Sequence, residues 1–182
     1  MYMKTILVIC LLMVLQSFTS SLQTNENIIQ NTTHYIGEEF KDGIVFFVYL
    51  ETDGSEHGLI VCKEEQLHTR WQNRASLVDA TSMVNGLMNS SKIIGSPAIT
   101  YVHHIGESWY LPSINELGLL WRSRNKIESI LLAVGQSLSK TIYWSSTEHA
   151  ELSALGFNFD GGYSGDPSFK TKHFTVRAIK SF

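Results

Sequence analysis

Cysteine is scarce in this chain of 182 residues, which contains only Cys10 and Cys62. Cys10 lies inside a short apolar run that we interpret below as a cleaved signal, so the processed chain would keep Cys62 alone. A single cysteine cannot form an intramolecular disulfide, although exported proteins tolerate such bonds. We therefore expect the hydrophobic core to stabilise the fold, with Cys62 acting as a small apolar residue in a buried strand.

The sequence also lacks an apolar run long enough to span a membrane, which takes about 20 residues. Its unbroken N-terminal run covers only residues 6–15, follows Lys4, and ends in the small and polar residues 16–21. This pattern is typical of a secretory signal peptide. We predict a signal peptide over residues 1–21 and a secreted or cell-surface protein. A buried core helix and a lipid anchor on Cys10 are the alternatives.

Positive charge is not in excess, because 14 Lys and Arg against 17 Asp and Glu give a net charge of -3. No basic cluster offsets this balance, so nucleic acid is not an expected partner. Residues 22–34 are polar and lack periodicity, which indicates a flexible leader, and residues 35–182 hold the folded domain. Asn31 and Asn89 both match the N-glycosylation pattern.

The best-specified element is a helix that begins after residues 109–112. Ser113 and Glu116 have the spacing of a capping box, in which each side chain bonds the other residue's backbone N–H. Pro112 keeps the residue before it extended, so the helix cannot begin earlier. Apolar residues follow at helical spacing on one face, at Ile114, Leu117, Leu120 and Trp121. We predict that this helix breaks near position 125 and ends by position 135.

The remaining patterns favour strands at both ends of the domain. Residues 43–50 read as a strand buried on both faces, which returns over residues 58–62 after an Asp53-Gly54 turn. A helix is predicted over residues 76–88, and residues 98–105 are apolar enough to pack beneath the sheet. Short strands are predicted over residues 141–147, 155–160 and 174–179. This order favours an α+β fold over a parallel sheet.

Three segments in series carry a family resemblance. They are residues 43–46 followed by 57–60, residues 109–113 followed by Glu116, Leu117 and Leu120, and residues 143–148 followed by Phe159, Gly161 and 176–179. Together they resemble the C-terminal domain of the bacterial collagen-like adhesin Lcl, over essentially all of residues 36–182.

The resemblance implies a single C-type-lectin-like domain, akin to formylglycine-generating enzymes and to the receptor-binding proteins of diversity-generating retroelements. It also implies a mainly antiparallel sheet with two or three helices, and a bacterial surface or secreted setting. Members are thought of as binding or adhesion modules. The motif positions to which we give a structural role are Trp109, Pro112, Ser113, Glu116, Trp144 and Arg177.

This chain departs from the family pattern in three ways. It has no collagen-like stalk, so trimerisation through a stalk does not carry over. The segment before Trp109 lacks the usual glycine-rich insertion, and Leu155-Gly156 stands where many relatives carry a tryptophan.

Catalytic and metal chemistry have little support in the sequence. The formylglycine-generating reaction needs redox-active cysteines that bind copper, and Cys62 alone does not supply them. The calcium motifs of C-type lectins are missing, and Asp160 and Asp166 have the character of turn residues. His103 and His104 are adjacent, so their side chains diverge. We expect no enzyme activity, no cofactor and no bound metal.

A loop surface around the last strands is the predicted binding site, because rigid scaffolds usually display their contacts on such loops. Trp109, Tyr110, Trp121 and Trp144 could form a ligand platform, but core positions are expected for aromatic residues in regular elements. The leading hypothesis is a non-catalytic adhesion module for a glycan or protein, displayed as a homo-oligomer. The alternatives are a structural subunit of an envelope or fibre assembly and a formylglycine-type oxidoreductase. The candidate surface comprises His149, Asn158, Asp160, Tyr163, Ser164 and Phe169.

Overall fold

The computed structural model describes residues 32–182. The predicted signal peptide and nearly all of the predicted leader lie outside these residues. Within the described range, no helix is both long enough and apolar enough to cross a membrane. The ring centroid of His34, a residue assigned to the leader, lies 4.1 Å from that of Phe40 and 5.0 Å from that of Phe182. The side chain of His34 therefore packs against the domain.

The first sheet contains the predicted hairpin. Its strand order is β1-β2-β3-β10, with β1 at Glu39–Phe40, β2 at Gly43–Leu50, β3 at Glu56–Cys62 and β10 at Ile179–Ser181. At the tip, the Asp53 carboxylate accepts from Ser55 N at 2.9 Å and Gly54 has φ 84°, as an Asp-Gly turn requires. β10 runs antiparallel to β3, with Lys180 opposite Ile60.

The second sheet has six strands in the order β4-β9-β5-β6-β7, and β8 pairs with β6. All the pairings recorded for this sheet are antiparallel except β5 with β9. The strands are β4 at Gln66–Arg70, β5 at Ile142–Ala150, β6 at Ser153–Asn158, β7 at Tyr163–Ser164, β8 at Ser168–Phe169 and β9 at His173–Val176.

The predicted terminal strand over residues 174–179 is wrong as a single element. β9 and β10 belong to different sheets, and Arg177 lies between them. Its fully buried side chain donates to the carbonyl oxygens of Cys62 at 3.0 Å and Lys63 at 2.7 Å, and it pairs with the carboxylate of Glu65. These bonds fix the chain where it changes sheets.

The described residues form four helices, one more than the two or three expected. They are α1 at Gly86–Lys92, α2 at Pro97–Ile105, α3 at Ile114–Arg122 and α4 at Arg124–Ala133. The predicted break in the long helix occurs at Ser123, which ends α3 and begins α4. Residues 98–105, expected only to pack beneath the sheet, form most of α2, and Ala98, Ile99 and Val102 are buried. Helices and mainly antiparallel sheets make this an α+β fold.

The helix predicted over residues 76–88 is wrong, since α1 begins only at Gly86. The preceding segment is held in an irregular, non-helical path by long-range bonds. Glu148 accepts from Val78 N at 3.1 Å, Glu148 N donates to Ala80 O at 2.7 Å, and Asp79 has φ 56°. These bonds offer the backbone partners that a helix would otherwise provide.

Asn89, the second glycosylation candidate, faces inward from α1. It is fully buried, and its amide donates to Ser82 O at 2.7 Å and to Ser146 Oγ at 3.3 Å. A glycan therefore cannot be attached to this side chain in the folded domain. Asn31 lies outside the described residues.

The two faces of β2 are covered by different core clusters. Ile44 and Phe46 pack with apolar residues of α3 and α4, whereas Val45 packs in the cluster that contains Trp109 and Trp144. The first half of β2 is therefore buried on both faces, as predicted. Trp109 and Trp144 lie in one cluster and are core residues, as expected, and do not form a ligand platform.

Candidate functional site

The capping box at the start of α3 is confirmed, and it does more than cap the first turn of the helix. The Glu116 carboxylate accepts from Ser113 N at 2.7 Å, from Gly86 N at 3.0 Å and from the hydroxyl of Tyr110 at 3.1 Å. Asn115 N also donates to Met83 O at 3.1 Å. One buried carboxylate therefore joins the first turn of α3 to the segment that leads into α1.

At the other end of α3, Trp121 supports the turn between β6 and β7. Its indole Nε1 donates to Phe159 O at 3.2 Å, and the guanidinium of Arg124 lies 3.6 Å from the ring centroid. Gly162, with φ 77°, lies so close that an added Cβ would be 2.0 Å from the indole. The glycine is required there both by its positive φ and by the approach of the ring.

The turn itself is organised by Asn158. Its side-chain oxygen Oδ1 accepts from Asp160 N at 2.9 Å and from Gly161 N at 3.2 Å, which forms an Asx turn. Its amide donates to the hydroxyl of Tyr163 at 3.1 Å. Tyr163 is thus held at the surface with 57% of its area exposed.

An open groove of about 730 Å³ lies between α3 and this turn. We call it the α3–β7 groove. Exposed polar groups of Asn115, Arg122 and Ser164 accompany the Tyr163 ring, and the segment before α1 adds exposed apolar side chains. The groove is lined by Met83, Val84, Ile114, Asn115, Gly118, Leu119, Trp121, Arg122, Phe157, Gly162, Tyr163 and Ser164.

The six predicted surface residues do not all meet in this groove. Tyr163 and Ser164 line it, and Asn158 supports Tyr163 from below. Asp160 lines a separate cavity of about 320 Å³, and His149 and Phe169 line a third depression of about 430 Å³. Their role in binding stays a prediction.

The sequence interpretation missed the wall formed by Met83 and Val84. Both lie within the helix predicted over residues 76–88, yet they are 47% and 67% exposed and precede the observed helix. Leu87 and Met88 of α1 are also exposed, at 51% and 42%. The signal in the sequence was a group of apolar residues in this segment. Sequence alone does not show whether such residues form a buried helix face or an exposed surface.

The remaining motif positions have structural contacts. Pro112 is buried and its carbonyl accepts from Ser146 N at 2.7 Å. The indole of Trp144 donates to Thr69 O at 2.9 Å, and Trp109 is 5% exposed. These residues position the elements around the groove and do not line it.

The thiol of Cys62 is buried in β3, and this burial raises its pKa above 9.0. Burial also raises the pKa of the Tyr143 hydroxyl. Neither group is therefore activated as a nucleophile. In residues 32–182, no group of three or more His, Cys, Asp or Glu side chains is arranged to hold a metal ion. His103 and His104 both lie exposed on α2.

The sequence matches no protein-family model and no curated protein. The fold is similar to the crystal structure of a fimbrial protein from Bacteroides ovatus ATCC 8483, with a TM-score of 0.59 and 17% sequence identity. The match covers 84% of this chain and 46% of the fimbrial chain, so this chain spans about half the length of that protein. At this identity the likeness concerns the fold alone.

Proposed function

We propose that this chain is a secreted or cell-surface binding module of the Lcl C-terminal type, with a C-type-lectin-like fold and no catalytic activity. The observation that carries the proposal is the α3–β7 groove, where exposed side chains are held on a rigid helix and a hydrogen-bonded turn. Pre-ordered contacts of this kind reduce the entropy lost on binding. The resemblance to adhesion domains, described above for three sequence segments, supports the same conclusion.

The chemistry of the groove fits a glycan or a protein surface. Tyr163 offers an exposed ring face for stacking, and tyrosine loses little conformational entropy when it binds. Asn115, Arg122 and Ser164 offer hydrogen-bonding groups along the same groove, and Met83 and Val84 offer apolar contact. The asparagine and the arginine lie on α3, whose capped start fixes their positions.

The absence of catalysis is supported by the state of Cys62. A formylglycine-type reaction needs accessible thiols that bind copper, whereas this thiol is buried and its pKa is raised by desolvation. Thiolate is the reactive form of cysteine, so burial works against reactivity.

A structural subunit of a surface fibre is the second candidate. Two observations favour it: the fold likeness to a fimbrial protein, and the exposed Leu87 and Met88 beside the apolar wall of the groove. Contiguous exposed apolar surface commonly marks a protein interface. In this case the same groove would pack against a neighbouring subunit.

The test is binding of the purified chain to glycan arrays and to immobilised surface proteins, with a Tyr163→Ala variant. Loss of the Tyr163 ring is expected to weaken binding at least about tenfold, as for a central aromatic contact. Tyr35→Ala is the matched control, since Tyr35 is 65% exposed and does not line the groove. Binding that is unchanged by Tyr163→Ala would refute the site. No binding on either array, with co-purification of envelope subunits, would favour the fibre subunit.

A further inference from the structure

A small cavity of about 320 Å³ lies beside the start of α4 and shares no lining residue with the α3–β7 groove. We call it the α4 cavity. Its volume is at the small end of the range of about 300–1,000 Å³ that is typical of ligand sites. A cavity of this size fits a small molecule better than an oligosaccharide or a protein segment. It is lined by Arg124, Asn125, Glu128, Leu138, Ser139, Lys140, Phe159 and Asp160.

The charges of the α4 cavity are balanced. Four of its eight lining residues carry a full charge at pH 7, of which Arg124 and Lys140 are positive and Glu128 and Asp160 are negative. Within residues 32–182, no ion pair joins any two of these four side chains. Two cations and two anions therefore surround one small space without neutralising one another.

The two charged residues of α4 are held apart by other contacts. Arg124 and Glu128 lie one helical turn apart, a spacing at which opposite charges commonly pair. Here the Arg124 guanidinium lies 3.6 Å from the ring centroid of Trp121, and its Nη1 donates to Trp121 O at 2.9 Å. The Glu128 carboxylate accepts from Leu138 N at 2.6 Å. A guanidinium has five N–H donors and a carboxylate has about four acceptor positions, so both groups keep bonding capacity for a ligand while their positions are fixed.

The opposite side of the cavity adds polar groups that the fold does not use. Asn125, Lys140 and Asp160 are exposed, and in the part of the chain that the structure describes their side chains take part in no hydrogen bond. Between the charged groups lie two apolar residues of the core, Leu138 and Phe159. The cavity thus combines charged walls with an apolar base.

We propose that the α4 cavity binds a free α-amino acid with an apolar side chain. Its carboxylate is bound by Arg124 and Lys140, since guanidinium and ammonium groups form strong charge-assisted hydrogen bonds with carboxylates. Its ammonium group is bound by Glu128 and Asp160. The two groups of the ligand are attached to one carbon, so they can reach partners that lie one helical turn apart. The apolar side chain of the ligand rests on the base of the cavity.

The balance of charge argues against other small ligands. A simple anion would meet the carboxylates of Glu128 and Asp160, and a simple cation would meet Arg124 and Lys140. A neutral sugar would displace water from four charged groups without supplying opposite charges, and such desolvation costs free energy. A zwitterion supplies a partner of opposite sign to each pair. This inference does not depend on the proposed function, because the two sites share no lining residue.

The first test is saturation-transfer NMR and calorimetric titration of the full chain with leucine, valine and methionine. We expect at least leucine to bind with a Kd of about 1 mM or below. Two analogues of leucine each lack one charged group: isoamylamine has no carboxylate and isocaproate has no ammonium. Each should bind at least about tenfold more weakly than leucine, because one set of charge-assisted hydrogen bonds is lost.

Two substitutions test the residues of the cavity. Lys140→Gln and Asp160→Asn each remove one exposed charge, so the fold should be unchanged in circular dichroism and leucine should bind at least about tenfold more weakly. Lys140→Gln should leave the weak binding of isoamylamine unchanged, because this amine has no carboxylate. Lys172→Gln and Asp166→Asn are the matched controls, since both residues are exposed and neither lines the cavity. Both controls should bind leucine like wild type.

Three outcomes would overturn the proposal. The first is that none of the three amino acids binds wild type at about 10 mM, tenfold above the expected Kd. The second is equal binding of leucine and both of its singly charged analogues. The third is leucine binding that neither Lys140→Gln nor Asp160→Asn weakens, because the amino acid would then occupy another place. Each of these outcomes leaves the Tyr163→Ala experiment on the α3–β7 groove unaffected.

Discussion

Replacing Glu116 with alanine removes an acceptor that two separate segments share. In the folded protein its carboxylate, in a residue only 7% exposed, takes hydrogen bonds from Ser113 N, the Ser113 hydroxyl, Gly86 N and the Tyr110 hydroxyl. Alanine removes this buried acceptor from all four donors. Each unsatisfied buried donor costs about 1–3 kcal/mol, and partial relaxation reduces the sum, so we expect a loss of about 4 kcal/mol.

The measurement is urea unfolding followed by tryptophan fluorescence, together with a thermal melt. For a domain of this size, a loss of about 4 kcal/mol lowers Tm by about 8–16 °C. Glu116→Gln keeps one carbonyl acceptor and the shape of the side chain, and should lose only about 1–2 kcal/mol. Glu107→Ala, an exposed carboxylate, should stay within about 0.5 kcal/mol of wild type. A loss below about 1 kcal/mol for Glu116→Ala would refute the view that this carboxylate joins α3 to the segment before α1.

Three further perturbations test the core and the turn. Lys170→Met should cost about 3–5 kcal/mol because it leaves the fully buried carboxylate of Glu148 without its ion pair. Lys170→Met with Glu148→Leu should recover only part of that loss, because it also removes the acceptor of Val78 N, and equal losses in urea titrations would contradict this. Gly162→Ala should destabilise by more than about 1 kcal/mol, since the residue has φ 77° and its new Cβ would meet Trp121, and a wild-type melting temperature would argue against this packing. The free energy of unfolding should fall as pH rises above 9.0, because the raised pKa of Cys62 makes the thiol ionise first in the unfolded chain. Cys62→Ala should make this fall with pH less steep, and an unchanged steepness would exclude the thiol as its cause.

Local signals in the sequence predicted the elements that depend on few distant contacts. The start of α3 follows from the Ser113–Glu116 pair, and the hairpin follows from an Asp-Gly turn between two apolar runs. The predicted break near position 125 lies two residues from Ser123, where α3 ends and α4 begins. In each case the residues that decide the structure lie within a few positions of one another.

The errors arise where distant side chains decide the backbone. Residues 76–85 carry helical periodicity, but Glu148 accepts from the N–H of Val78 and donates its own N–H to the carbonyl oxygen of Ala80, so the segment stays non-helical. The terminal strand divides at Arg177 because its side chain binds carbonyl oxygens of the chain after β3. Such partners, separated by about 70 residues or more, leave no periodic pattern in a single sequence.

The part of the candidate groove that depends on local sequence signals could be predicted. Asn158, Tyr163 and Ser164 flank the turn that contains Gly161 and Gly162, and glycines of this kind are a local sequence signal for a surface turn. Met83 and Val84 join them because α3 and the segment before α1 are tied together by Glu116 and by the bond from Asn115 N to Met83 O. Asp160 lies in the same turn but lines another cavity, and the spacing of residues in the sequence does not reveal this.

The geometry separates the residues that hold the groove from those that would touch a ligand. Glu116 and Trp121 maintain the frame, and their substitution changes stability together with binding. The Tyr163 hydroxyl bonds Asn158 at 3.1 Å and its ring packs over Gly161, where an added Cβ would lie 2.2 Å from it, but more than half of the tyrosine surface is exposed. Loss of that one exposed bond costs at most about 1 kcal/mol. A Tyr163→Ala variant that loses binding should therefore melt close to wild type, and a large fall in its Tm would mean that the ring supports the fold and does not act primarily as a contact.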